Sequence, residues 1–410
     1  MKRARSVAAS LGMALVLLAS ARPVESWLVR QRNERHGGYS LSDFGPRGGR
    51  SLVETVSTAC LGGLRGIIAD LLWMRTIRME QQGRVYEKVA LLDGILRMQP
   101  HFTSVWVYQA RVLVFDHGSA LENPSAEEAY RWIRRGIDVL ERGIERNRAS
   151  YRLHFVLADV YMRKLSPRNI DRRTWRRHLR LWEGDLVREA EDQSKRARWP
   201  EPLRDWYRDL KSAGKKAGAR DLTPAGVREW YEGVVRSARA RGGQEPVFDA
   251  YLGLKMAQRH YRLAAGKPDV TRSRKLLCQR LAIRCFEHMG HWREAEAAWI
   301  SYLEALRRSG EYGPGSSAYR ANASFFRQFM RHRAADLLTR GKESESREVH
   351  RRMKTSLKSV PDYRGLIAEE VRGLLQMRQP ERSRALYEVL RDRLKDTRTY
   401  EEVVKAPVGK

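Results

Sequence analysis

Apolar residues recur along most of this chain at intervals of three and four, the period of an α-helix with one buried face. Trp175, Leu179, Trp182 and Leu186 hold that spacing, and Leu203, Trp206 and Leu210 repeat it beyond Pro200 and Pro202. Thr223-Pro224 marks the start of another helix, with Trp230-Tyr231 on its apolar side. Lys211 to Arg220 (KSAGKKAGAR) reads as an exposed basic turn. Gly310 to Ser317 reads as a loop. Helices are predicted after it from about Ala321 to Thr339 and from Glu343 to Ser359, with Pro361 as a stop. The alternation expected of strands does not occur over any length. The predicted fold class is all-α.

A longer period lies over this one. Leu157, Ala158 and Tyr161, and then Phe286, Gly290, Trp292, Ala295 and Trp299, fit a helical-hairpin template of about 34 residues. With Pro100 as the template's terminal proline, Gly83 falls at a turn, Trp106 at the aromatic position and Ala110 at the small position. Gly136, Leu140 and Gly143 fit the second helix of that unit, after a loop around Asp116 to Ser125 that is longer than the template. Small residues let two antiparallel helices approach, and large aromatics fill the groove between hairpins. The third unit breaks off at Ser166-Pro167 and repeat character returns after Pro246. The clearest unit runs from about Leu276 to Ser309, and the last pair contains Gly373, then Ala385 four before Val389.

These spacings, best seen in FEHMGHWREAEAAW, resemble the tetratricopeptide repeat (TPR) superfamily over roughly residues 60–165 and 250–395. The stretch from Leu61 to Trp106 also looks like uncharacterised exported bacterial proteins of that repeat class. The resemblance implies a TPR-like antiparallel helix-hairpin solenoid that binds protein or peptide on its concave face and carries out no reaction. Lys88 and Ile283 depart from the template by standing at small-residue positions. The chain then divides into 1–29, a signal peptide or membrane anchor; 30–50, a Gly- and Arg-rich linker; 51–165, repeats; 166–245, a basic Trp-rich helical insert; 246–400, repeats; and 401–410, a tail.

The first segment carries Lys2, Arg3 and Arg5, an apolar run from Val7 to Ala19, and Ala19-Ser20-Ala21 in the A-x-A cleavage pattern. Arg22-Pro23 directly afterwards opposes cleavage, and Trp27-Leu28-Val29 suits a membrane interface. The expectation is a cell-envelope protein, tethered to the membrane with its bulk outside the cytosol, or exported. Arg22, Arg30, Arg32 and Arg35 place charge on the far side as well and weaken the orientation. Residues 52–74 are apolar, but Arg65 and Asp70 oppose a second span, so they read as a buried first helix.

Net charge changes the picture. The 410 residues include 79 Lys+Arg against 49 Asp+Glu, a formal charge of +30. Such a field attracts nucleic acid, anionic lipid or acidic protein. In the insert, Arg172, Arg173, Arg176, Arg177, Arg180, Lys211, Lys215 and Lys216 form an anionic-surface candidate, with Trp175, Trp182, Trp199, Trp206 and Trp230 placed to stack on bases. The other reading makes the tryptophans apolar helix faces and leaves the arginines solvated, partly paired with Asp185, Glu189, Glu191 and Asp192. The helical spacing favours the latter, and an exported location disfavours nucleic acid.

No G-x-S-x-G, H-E-x-x-H, Rossmann fingerprint or phosphate loop is present, so no catalysis and no cofactor are expected. Cys278, Cys285, His288 and His291 complete no tetrahedral zinc set, and the cysteines are too far apart on one helix to bridge, so no metal is expected. The expected function is a non-catalytic protein-protein interaction scaffold or adaptor. Its partner-binding candidates are Trp106, Tyr108, Arg111, Arg152, His154 and Gln279, taken from inner-helix positions of the template. The alternative is electrostatic binding of an anionic membrane or polymer through 166–245. Leu61 to Arg78 is either a docking surface near the membrane or a hairpin capping the first repeat.

Overall fold

A computed structural model describes residues 65–405, apart from 120–122, 124, 168–173, 220, 243–245, 310–311, 358–359 and 377–378. The leader, the linker, Cys60, Arg172 and Arg173 lie outside the described residues, within which the secondary structure is helical throughout. Helix α1 (Arg65–Gln81) reverses at Gly83 into α2 (Val85–Met98). Next, α3 (Thr103–Arg111) runs into a π-helical stretch, Val112–His117, and returns as α4 (Ala126–Arg146), capped by the Ser125 side chain. Helix α5 (Tyr151–Lys164) follows. The insert supplies α6 (Trp175–Glu189), α7 (Gln193–Ala197), α8 (Glu201–Lys216) and α9 (Pro224–Ala240). The chain then forms α10 (Leu252–Ala265), α11 (Arg272–Met289), α12 (Trp292–Arg307), α13 (Ser317–Thr339), α14 (Glu343–Ser356), α15 (Tyr363–Gln376), α16 (Pro380–Leu394) and α17 (Tyr400–Lys405).

Most helices pack against their neighbour in sequence: α1 on α2, α3 on α4, α11 on α12, α13 on α14, α15 on α16. Helix α6 instead packs on α4 and α9, and α5 packs most extensively on α10, on the far side of the insert. Gly253 makes that approach possible, because a Cβ there would lie 1.9 Å from the Leu165 carbonyl oxygen. A boundary at 246 therefore cuts through a packed helix pair. Gly136 plays the same part between α4 and the π-helical stretch, where a Cβ would meet Val114 at 2.3 Å. These are the small-residue contacts that the spacing of Gly136 and Gly143 implies; Gly143 lies against the Trp106 ring.

The last two hairpins repeat one device. Ser346 on α14 donates to the Ala334 carbonyl on α13 and accepts from Tyr363. Ser383 on α16 donates to the Val371 carbonyl on α15 and shares a hydrogen bond with Tyr400. Each residue of the second set stands 37 places after its counterpart. This corrects the register of the final pair: Ser383, Leu386 and Leu390 are buried, whereas Ala385 faces outward. The tail also differs from expectation, since α17 packs Val403 into the core and its carbonyl accepts from Arg372.

Two other readings change. Helix α8 continues through Lys216 because Gly214 seats its last turns under the Trp230 ring, so Lys211 to Lys216 is helix rather than turn. Helix α1 is not wholly buried: Leu71, Met74 and Ile77 are exposed. Lys88, out of place in the template, is buried with its ammonium 2.8 Å from Glu80, whose other oxygen takes the Tyr108 hydroxyl.

The buried apolar side chains form two large clusters. One runs from α1 to α11 and takes in the insert through Leu179, Trp182, Trp206 and Tyr231. The other runs from α11 to α17, and Phe286 packs against both.

Candidate functional site

Helices α11, α12, α13, α15 and α16 enclose a groove of about 550 Å³. Its aromatic lining comes from α12 and α13, where Trp292 and Trp299 stand beside Phe325 and Phe329 with the Trp292 and Phe329 rings 5.8 Å apart, and Leu374 and Leu386 add aliphatic surface from α15 and α16. Phe325 is 38% exposed, an aromatic left open to water, and the Arg280 guanidinium covers one side of it at 4.6 Å.

Polar groups ring this lining. The Trp299 indole donates to Glu287 at 2.6 Å. Glu370 is buried; Arg331 donates to one of its oxygens at 2.6 Å and His332 Nδ1 meets the other. That pairing fixes the imidazole, which is one-third exposed on the groove side. Asp336 takes the Arg340 guanidinium at 3.1 Å. The three carboxylates of the groove are thus engaged. Arg284 and Arg382 also line it, and among the described residues neither has a carboxylate partner; Arg382 reaches only the Gln379 amide oxygen. The groove offers an apolar bed with unneutralised positive charge at its edge.

The residues chosen from the template lie elsewhere. Trp106 is 6% exposed and donates its indole N–H to the Pro100 carbonyl. Tyr108 packs edge-on against Trp73 and donates to Glu80. Its hydroxyl is pushed above the usual phenol range by burial and by that carboxylate. Arg111 and Arg152 are exposed, Arg152 donating to Ser104, while Gln279 is half-buried on α11. His154 is 5% exposed and faces His260, the two Nδ1 atoms 3.1 Å apart. Burial and the neighbouring Lys267 and Arg259 pull His154 down to about 4, and burial likewise holds His260 well below its ordinary range.

The structure divides the basic candidates. Arg177 pairs with Glu127 on α4, Arg176 lies over the Trp175 ring, and Arg180 is half-buried. Lys211 is half-buried, with Lys215 and Lys216 exposed beyond it. Trp182, Trp199 and Trp206 are buried in the core, which withdraws them from base stacking. Asp185, Glu189, Glu191 and Asp192 do pair with cations, although Glu189 pairs with Arg134 on α4 rather than within the insert.

The cysteine-histidine group does not converge. Cys278 and Cys285 are buried thiols, pushed up by burial to about 11 and about 12. The His291 ring lies tilted against Phe286 with the centroids 6.3 Å apart, while His288 lines the groove. Among the described residues no three His, Cys, Asp or Glu side chains are placed to hold a metal ion.

Reasoning from the template missed Phe325, Arg284, His332 and Glu370. The signal that was available is the 37-residue recurrence of Ser346 and Ser383, which makes α13 and α15 equivalent members of successive hairpins. No protein-family model and no curated protein matches the chain.

Proposed function

We propose that this chain is a non-catalytic scaffold or adaptor of the cell envelope, built as a TPR-like helical array, that holds a protein partner in the groove of α11–α16. The occupant is an extended or helical segment carrying apolar side chains flanked by acidic ones. One observation carries this reading: an open aromatic bed whose own carboxylates are all engaged, beside Arg284 and Arg382, neither of which has a carboxylate partner among the described residues. The excess of basic residues over the whole chain adds long-range attraction for an acidic partner. The recurrence of the serine-tyrosine device in successive hairpins supports a repeat origin for this half. The expected membrane tether belongs to residues 1–29; no described helix is long and apolar enough to cross a membrane.

The test is affinity capture by the full-length chain from native membranes, washed at low and then high salt. The retained protein is purified and titrated against wild type, Phe325→Ala and Arg284→Gln. A central aromatic anchor should weaken binding about tenfold or more when truncated. A partner bound as tightly by both variants sinks the reading, as does retention of only lipid or nucleic acid that washes off in salt.

A further inference from the structure

A second cleft, of about 880 Å³, lies within the insert between α7, α8 and the start of α9. Arg204, Arg208 and Lys211 enter it from α8 at i, i+4 and i+7, so they share one stripe of that helix. Arg196 enters from α7 and already donates one N–H to the Ala190 carbonyl. Arg208 is paired with Asp205 at 3.0 Å. Arg204 and Lys211 have no carboxylate partner among the described residues.

The beginning of α9 does not itself supply the donors. Asp221 sits over it, accepting from the Thr223 backbone and hydroxyl, and the Thr223 hydroxyl in turn caps Gly226. A Cβ on Gly226 would touch Asp221 at 2.5 Å, so the carboxylate occupies the place where an anion would meet the helix end. The cleft therefore holds four cations against one lining carboxylate.

An independent feature singles out the same place. Tyr207, one residue before Arg208 on α8, lines the cleft and is 7% exposed, yet its hydroxyl is buried with no hydrogen-bond partner. The Arg196 guanidinium is its charged neighbour and partly offsets the effect of burial on it. A buried hydroxyl left unpaired is costly unless something fills its place. Burial raises the phenol, so it remains a donor across the physiological range.

We propose that this cleft binds a phosphate group, held by Arg204, Lys211 and the Tyr207 hydroxyl, with Arg196 and Arg208 at its sides. Two cations with no carboxylate partner among the described residues, lining one cleft with a neutral donor, suit a compact dianion better than a single carboxylate. The site is separate from the α11–α16 groove and stands whether or not that groove binds a protein.

The test uses the full-length chain with two probes at fixed low ionic strength. One is inorganic phosphate, followed by calorimetry. The other is vesicles of phosphatidylcholine with and without phosphatidic acid, followed by co-sedimentation. The double variant Arg204→Gln/Lys211→Gln should weaken saturable binding about tenfold or more, and Tyr207→Phe should weaken it severalfold. Lys215→Gln/Lys216→Gln, in the last turn of the same helix, should change it less than about twofold, as expected for exposed charges outside the cleft. Site-dependent binding of phosphate alone assigns the free ion, and site-dependent retention on phosphatidic acid assigns a headgroup. No saturable binding of either probe, or equal weakening by both lysine-containing pairs, overturns the site in favour of a diffuse basic field.

Discussion

At the residue scale, the fold rests on polar groups that are buried and answered. Glu183 is the clearest. It is fully buried and accepts four hydrogen bonds, from the Trp206 indole, the Tyr231 hydroxyl and the backbone N–H groups of Phe248 and Asp249. Nothing in its sequence neighbourhood marks it, because its partners come from segments far along the chain. The His154–His260 pair is equally hidden and has a measurable consequence. Both histidines are held below their ordinary value by burial; Lys267 and Arg259 add to it at His154, and His154 and Arg259 add to it at His260. Tyr161, stacked on His260, brings no charge at neutral pH. The unfolded chain takes up protons on these rings as pH falls through about 6.5, while the folded chain does not until about 4 for His154. Their contribution is therefore present above about pH 6.5 and is lost as pH falls from there toward 4, by at most about 1.4 kcal/mol per pH unit for each proton. Chemical denaturation of wild type and His154→Gln/His260→Gln at pH 7 and pH 5 checks this. The wild type should lose more stability over that interval, and equal losses would remove the pair as a source of pH dependence.

At the element scale, helices and caps were largely legible. Thr223-Pro224 is the N-cap and first residue of α9, and Gly83 and Gly290 adopt φ of +69° and +74° at hairpin turns, as their positions implied. The register of the last hairpin was not legible, because a serine whose hydroxyl bonds a neighbouring helix's carbonyl serves as the small residue there. Nor was the status of the insert. It departs from the repeat in sequence, yet Trp182 packs against Tyr161 with ring centroids 5.3 Å apart, and Glu183 ties α6 to α8, α9 and the chain entering α10. It is part of the core that α5 and α10 need. Glu183→Ala would strand four donors, the Trp206 and Tyr231 groups fully buried, and is expected to cost about 3–5 kcal/mol, read as a lower midpoint for the transition that unfolds the cluster holding the insert. A loss under about 1 kcal/mol would mean that the insert is only loosely attached.

At the scale of the molecule, the all-α class was plain from period alone, while the groove was not, since its residues come from five helices whose mutual register the template did not set. The division of the core into two clusters that meet at Phe286 predicts behaviour that no local segment reveals. Helical arrays stabilised chiefly by contacts between neighbouring units can lose all-or-none cooperativity where the core divides. Urea unfolding followed by circular dichroism and by tryptophan fluorescence should give transitions that do not coincide. Phe286→Ala should separate them further, by weakening the contact the clusters share. Coincident single transitions by both probes would show that the interface couples the halves fully.

The pairing of α5 with α10 across the insert also sets an order of events in time. A ribosome adds about 5–20 residues each second, so α5 waits on the order of 4–18 s for the roughly 90 residues that bring Gly253 to Leu165. During that interval α5 already has α3 and α4 beside it, and Trp182 of the emerging insert adds the contact with Tyr161. The segment that breaks the repeat is thus made before α10, and it keeps its contact with α5 after α10 has packed alongside.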